Sequence, residues 1–331
     1  MKELEVKRQI AGVFRQVVSH HFKSLLFSRA LRFLILWGVF SWVAGPAFAA
    51  EALREVQDFT QTSIRLVAQP SRIIPLAPSL AELVVELLPS GWERIVAVTE
   101  FTDFPGELAQ KPKVGSYARL NLEAIVSRKP DLVLATLDGN SKDQVQRLRS
   151  LGVPVLVVGT SNFEEVKLSI RMVGEALGAK ERALALESRF VSALQSLHKR
   201  YHATANRPRV LLQIGDDPLV VVGKKSFLQE ALEAVGAKNI YSSELSGYPR
   251  PSREDVLSKN PEMILILALH GEMRTFDRMA DRWRAFPQLA AVREGKVRVL
   301  KADGLLRPGS RLIEGLSALE SAIHVREGKG S

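Results

Sequence analysis

Cysteine is absent from the 331-residue sequence. That absence excludes disulfides, thiolate-held zinc, iron–sulfur clusters and thiol nucleophiles. No G-x-S-x-G nucleophile turn and no H-E-x-x-H helix occurs. Gly223-Lys224-Lys225-Ser226 ends like a phosphate loop, but Pro218 stands where the opening glycine is required. Basic runs interleaved with aromatic residues are missing after position 49. The formal charge of +10 therefore does not point to nucleic acid, because seven basic residues against two acids crowd into the first 49 positions.

What remains is a globular composition, 46% apolar and 25% charged. A chain of this length exceeds what one hydrophobic core usually serves, so two lobes are expected. Residues 1–49 have the layout of a signal peptide: basic residues, a short apolar run at 33–44, a Gly45-Pro46 break and the Ala47-Phe48-Ala49 cleavage signature. The run is shorter than the roughly 20 residues of a membrane span. No cysteine follows the cleavage site, which excludes lipid attachment there. Export without disulfides fits a bacterial periplasm.

Beyond the leader, short apolar runs alternate with helical patterns, the signature of parallel α/β structure. The patterning predicts strands over 72–76, 95–99, 132–135, 155–158, 209–214, 220–222, 263–267 and 297–300. Helices are expected from Leu80, Leu122 and Lys142, and over 226–235, 253–258 and 311–324. Ser79-Leu80-Ala81-Glu82 reads as a capping box. Between the two alternating halves, 179–203 reads as one helix, broken only before it by Gly174 and Gly178. Such a helix would reach roughly 37 Å, longer than a small lobe is wide. The expected organisation is a leader at 1–49, an extension at 50–70, a first lobe at 71–160, a helical connector at 161–205, a second lobe at 206–327 and a tail at 328–331.

The halves echo each other. Asn121-Leu122-Glu123-Ala124-Ile125-Val126-Ser127-Arg128-Lys129-Pro130-Asp131 returns as Ser252-Arg253-Glu254-Asp255-Val256-Leu257-Ser258-Lys259-Asn260-Pro261-Glu262. In both, a capping residue opens a short helix, a Glu sits two residues in, and a Pro and then a strand follow. An acid in a helix's first turn is favourable through the macrodipole alone. The matched placement of Glu123 and Glu254 also suits docking on a symmetric partner with two identical basic sockets.

Open α/β sheets bind ligands beyond the carboxyl ends of their strands. Phe104, Tyr117 and Tyr248 fall in loops at those ends, where flat rings can line a cleft for a bulky ligand. His198 and His202 lie one helical turn apart, but no third metal ligand accompanies them, and His270 stands alone after a strand.

Taken in order, several segments carry a family likeness. They are Pro78-Ser79 with Glu82-Leu83, Thr102-Asp103-Phe104-Pro105, Asn121-Leu122-Glu123, Lys129-Pro130-Asp131-Leu132-Val133 and Gly139-Asn140. The second half adds Gly223-Lys224, Asn239-Ile240, Pro251-Ser252-Arg253-Glu254 and Ala302-Asp303. This series resembles the helical-backbone binding proteins of ATP-driven importers, the cobalamin receptor above all and also those for ferric siderophores and haem. The resemblance implies two Rossmann-like lobes with parallel sheets, joined by a single long backbone helix, with the ligand cleft between them. It implies a periplasmic monomer without catalysis or a cofactor of its own. Such a protein would deliver a cobalt corrinoid, or else a ferric chelate, to an ABC permease dimer. By the same resemblance Phe104, Tyr117 and Tyr248 line the cleft, Asp303, Arg307 and Arg311 close it, and Glu123 and Glu254 meet permease arginines. The sequence departs from the cobalamin receptors in having Tyr117 and Tyr248 where Trp is common, Gly304 where an aromatic is expected, and Ile214 with Asp216-Asp217 in a more charged segment. A cofactor-handling enzyme or metallochaperone on the same architecture is the alternative from another class.

Overall fold

A computed structural model describes residues 53–205, 207–243, 247–268, 273–301 and 303–324. The expected leader at 1–49, the tail at 328–331 and His270 lie outside the described residues. Among the described residues no helix is long and apolar enough to cross a membrane.

The described chain opens with an antiparallel hairpin, β1 (Leu53–Gln57) and β2 (Ser63–Val67), within the stretch 50–70. Its alternation puts Val56, Ile64 and Leu66 into the core. The first lobe follows, with parallel strands in the order β3 (Ile73–Pro75), β4 (Leu132–Thr136) and β5 (Val155–Val158). The second lobe holds β6 (Arg209–Asp216), β7 (Leu219–Val221), β8 (Lys238–Asn239), β9 (Met263–Ala268) and β10 (Val297–Lys301). Its sheet runs β10-β9-β6; β6 then pairs with β8 in parallel at its start and with β7 in antiparallel at its end.

Two helices join the lobes. The first, Phe163–Leu177, is opened by Asn162, whose side chain accepts from the Glu165 amide while Glu165 accepts from Asn162 and the Ser161 amide. Gly178 closes it in the left-handed region, at φ 71°. The second, Lys180–Tyr201, is the long backbone helix, about 33 Å by its 22 residues. Gly174 lets the pair approach, since a Cβ there would stand 2.2 Å from that of Ala183.

The central strands are covered on both faces, so β4, β5 and β9 are buried at every position. Ile73, Leu132, Leu134, Leu156 and Val158 join Val210, Leu212, Met263, Leu265 and Leu267 in one continuous core with Leu186, Phe190 and Leu197 of the backbone helix. Phe163 meets Phe190 and Phe227 edge to face, at 5.6 and 5.4 Å between ring centroids. Each lobe also has an outer core, around Ile74 and Val133 in the first and around Ile264 and Trp283 in the second. The buried Trp283 indole donates to Gln213 at 2.7 Å.

Two local expectations are corrected. Ser79-Leu80-Ala81-Glu82 is not a capping box: Pro78 occupies the first turn, Ala77 is the N-cap, and no side chain caps the helix Pro78–Leu87. The proline sets its helical φ and starts the helix too early for Ser79 to cap it. Glu82 then lies buried one turn in. The stretch 95–99 makes only isolated bridges, Ile95 to Ile73 and Val98 to Lys113, because it changes partner after a single pairing.

Asp58 pins the hairpin to the first sheet. One carboxylate oxygen accepts from the Thr60 amide (2.8 Å), the Thr60 hydroxyl (2.7 Å) and the Thr62 amide (3.1 Å); the other takes the Val157 amide (3.1 Å) and the Arg149 guanidinium. Burial alone would push this carboxyl up, but the hydrogen bonds and Arg149 outweigh it and hold it below the ordinary Asp value. Its stabilisation is therefore present above the unfolded value and lost as pH falls through the lowered native one. Asp58→Ala is expected to cost about 3 kcal/mol at pH 7. The gap to wild type should narrow below about pH 4, checked by denaturant titration across pH.

Candidate functional site

The carboxyl ends of the two sheets face a cleft between the lobes. One compartment, of about 520 Å³, is walled by Ser79, Phe101, Asp103, Tyr117, Thr136 and Arg307. A neighbouring one, of about 460 Å³, is walled by Tyr117, Asp138, Ile214, Lys225, Phe227 and Tyr248. Tyr117, Thr160, Leu306 and Pro308 belong to both, so the two form one continuous site.

Tyr117 is seated by the turn after β4. The buried Asn140 side chain accepts from the Thr136 amide (2.8 Å) and donates to the carbonyls of Tyr117 (2.9 Å) and Leu76 (3.2 Å). Gly139 provides the room: a Cβ there would fall 1.7 Å from the Tyr117 ring. Tyr248 stands on a loop held to the end of β7 by Val221 N–H to Pro249, Gly223 N–H to Gly247 and Gly247 N–H to Lys224. The cleft walls desolvate its phenol and push its pKa up, with Asp138 and Tyr117 adding to the effect. Tyr248 therefore stays a neutral hydroxyl at physiological pH.

Arg307 and Arg311 cross from the second lobe to the first. Arg311 holds Glu82 through Nε and Nη2, each at 2.8 Å, and its guanidinium lies 4.1 Å from the Phe104 ring centroid. Arg307 reaches Asp103 at 2.5 and 3.2 Å, Glu82 at 3.3 Å and the Phe101 carbonyl at 3.3 Å. Burial opposes the charge on Arg307, but its two acids outweigh that and raise its pKa. Lys113 donates to the Thr102 carbonyl beside them; burial lowers its pKa and Asp103 resists the shift.

The expected residues thus fall into three groups. Tyr117, Tyr248 and Arg307 line the cleft directly. Phe104 and Arg311 stack beside it, and Asp303 is buried at the start of the helix Asp303–Leu306, where its carbonyl accepts from the Arg307 amide. Gly304 leaves no space for an aromatic: a Cβ would stand 2.5 Å from the Arg311 carbonyl.

Glu123 and Glu254 are the third group, exposed on the short helices Leu122–Val126 and Arg253–Lys259. Asn121 and Ser252 cap those helices alike. Its own amide and Ser252 hold the Glu254 carboxyl below its ordinary value. The sequence echo is structural as well. Asp131 binds the Arg72 amide and Glu262 the Arg209 amide, both at 2.8 Å, while the Arg72 and Arg209 side chains close the carbonyl ends of the two helices. Lys129 and Asn260, in matching places, take φ of 47° and 45°.

Sequence reasoning missed Glu82 and Phe101. Glu82 is an acid inside a helix buried on nearly every side, a pattern that demands a charged partner. Phe101, 64% exposed, is a large ring in the turn after 95–99. Among the described residues no cluster of three or more His, Asp or Glu could hold a metal. His198 and His202 line a separate groove with Glu230 and Glu233. Gly139→Ala is expected to drive the Tyr117 ring from its seat without changing the circular dichroism spectrum; a crystal structure with the ring unmoved would contradict this.

The pattern of the periplasmic binding protein family matches residues 73–303. The crystal structure of the periplasmic vitamin B12 binding protein BtuF of Vibrio cholerae is similar at a TM-score of 0.68 and 26% identity, over 77% of this chain and 97% of that one. A periplasmic heme binding protein from Pseudomonas aeruginosa is similar at 0.68 and 27%, over 79% and 95%. The uncharacterized ABC transporter substrate-binding lipoprotein YvrC of Bacillus subtilis is 29% identical over 275 residues, 81% of this chain and 85% of its own. The chain belongs to the periplasmic binding protein family, in the two-lobed form that serves ABC importers.

Proposed function

We propose that the protein binds cobalamin between its lobes and delivers it to the permease of an ABC importer, without catalysis of its own. The observation that carries this reading is the cleft wall of Tyr117, Tyr248 and Phe101, three aromatic rings around one continuous site. Neutral rings suit the broad face of a corrinoid, whose cobalt brings its own ligands and whose rim carries carboxamides. Similarity to a vitamin B12 binding protein supports the same choice, while similarity to a heme binding protein makes haem the alternative to test, with ferric siderophores beside it. Phe104 and Arg311, stacked at the margin, and Asp303 behind them would brace the loop that covers the ligand.

For delivery, Glu123 and Glu254 supply two equivalent exposed carboxylates, each on a helix tied to the first strand of its own lobe. Basic sockets on a two-fold permease would meet them. The protein would work as a monomer in the periplasm, after removal of residues 1–49 near Ala49.

Calorimetric titration of the purified mature chain tests the ligand. Cyanocobalamin should bind more tightly than haemin or ferric siderophores. Tyr117→Ala and Tyr248→Ala should each weaken cyanocobalamin binding by about tenfold or more; unchanged curves for both would contradict the reading. Replacing Glu123 and Glu254 together by Arg should abolish uptake in cells while purified protein still binds. Undiminished uptake would remove the docking role.

A further inference from the structure

Four ionised side chains meet where the second lobe touches the first. Glu82 is sealed there, its side chain 1% exposed, against Arg307 at 11% and Arg311 at 18%. Two carboxylates thus face two guanidiniums. Arg311 spends its Nε edge on Glu82 and one ring face on Phe104. Arg307 divides its two nitrogen ends among Asp103, Glu82 and the Phe101 carbonyl, so the one arginine on the cleft wall is turned to protein acceptors. Glu100 and Asp138 add further acids to the lining, with Lys225 exposed at the edge of the second compartment.

We infer that Asp103 and Glu82 determine the charge selectivity of the cleft: by occupying Arg307 and Arg311 they exclude ligands that carry free carboxylates and leave the site to uncharged ones. The inference rests on the cleft being the ligand site. A ligand carboxylate must compete with Asp103 for Arg307, which exchanges one charge-assisted pair for another and gains none. An amide-rimmed ligand needs no such exchange. Selection here is by repulsion and withheld donors rather than by an added contact.

Asp103→Asn tests it directly. Asp103 is the more exposed of the two acids, its side chain 47% accessible, and Glu82 still holds Arg311 in the variant. The probes are haemin, which carries two carboxylates, and cyanocobalamin, which carries none. Haemin affinity should rise about tenfold over wild type, and the ratio of haemin to cyanocobalamin affinity should rise with it. Adding Arg307→Gln to Asp103→Asn should cancel the gain, which separates Arg307 from the nearby Lys113. Glu82→Gln, which removes the second acid on Arg307, should also raise haemin affinity and serves if the first variant does not fold. Haemin affinity unchanged in both single variants, or both ligands weakened alike, would overturn the inference and leave the cluster a purely structural clasp. The cyanocobalamin titration of wild type decides the ligand assignment separately, because the variant-to-wild-type ratio for haemin does not depend on it.

Discussion

Both sheets turn one face toward the same helix. The inner faces of the two lobes and the apolar side of Lys180–Tyr201 form one uninterrupted core. Fully burying a Leu or Phe side chain is worth roughly 1.5–3 kcal/mol. Peeling one lobe from Leu186, Phe190, Leu197 and the Phe163–Phe227 contact would therefore cost on the order of 10 kcal/mol, close to the whole free energy of nanomolar binding. Wide opening is too expensive to be driven by a ligand. The cleft is largely preformed, and binding forfeits little ordering entropy.

The same constraint fixes the spacing on which the proposed docking role depends. Glu123 and Glu254 sit in the second position of capped helices, and each helix is bolted to its lobe by the same devices. An acid after the proline binds the start of the first strand, and an arginine from that strand closes the helix's carbonyl end. Because the lobes share one core, the two carboxylates hold their spacing. The arginines of the second lobe are neutralised by the acids of the first. That joins them electrostatically and takes up the charge of Arg307 on the cleft wall.

Much of this was legible in the sequence. Apolar runs gave the strands because the central strands are buried on both faces, and Gly174 and Gly178 marked the helical turn because close approach and a left-handed cap need them. The repeat from Asn121 to Asp131 identified two equivalent halves. Local signals misled where a tertiary partner took over. Glu82 had the spacing of a capping residue, yet Pro78 had already started the helix, and two arginines more than 220 residues away claimed the carboxylate. Residues 95–99 looked like a strand but pair first with Ile73 and then with Lys113. The hairpin at Leu53–Val67 was invisible because its hold on the sheet passes through one buried acid, Asp58, rather than through a long apolar run.

A crystal structure of the cyanocobalamin complex tests the account most directly. The corrin ring should lie between Tyr117 and Tyr248, with the lobes in their present spacing and Arg307 still paired with Asp103. A ring bound outside the cleft, or lobes hinged widely apart with that pair broken, would contradict it.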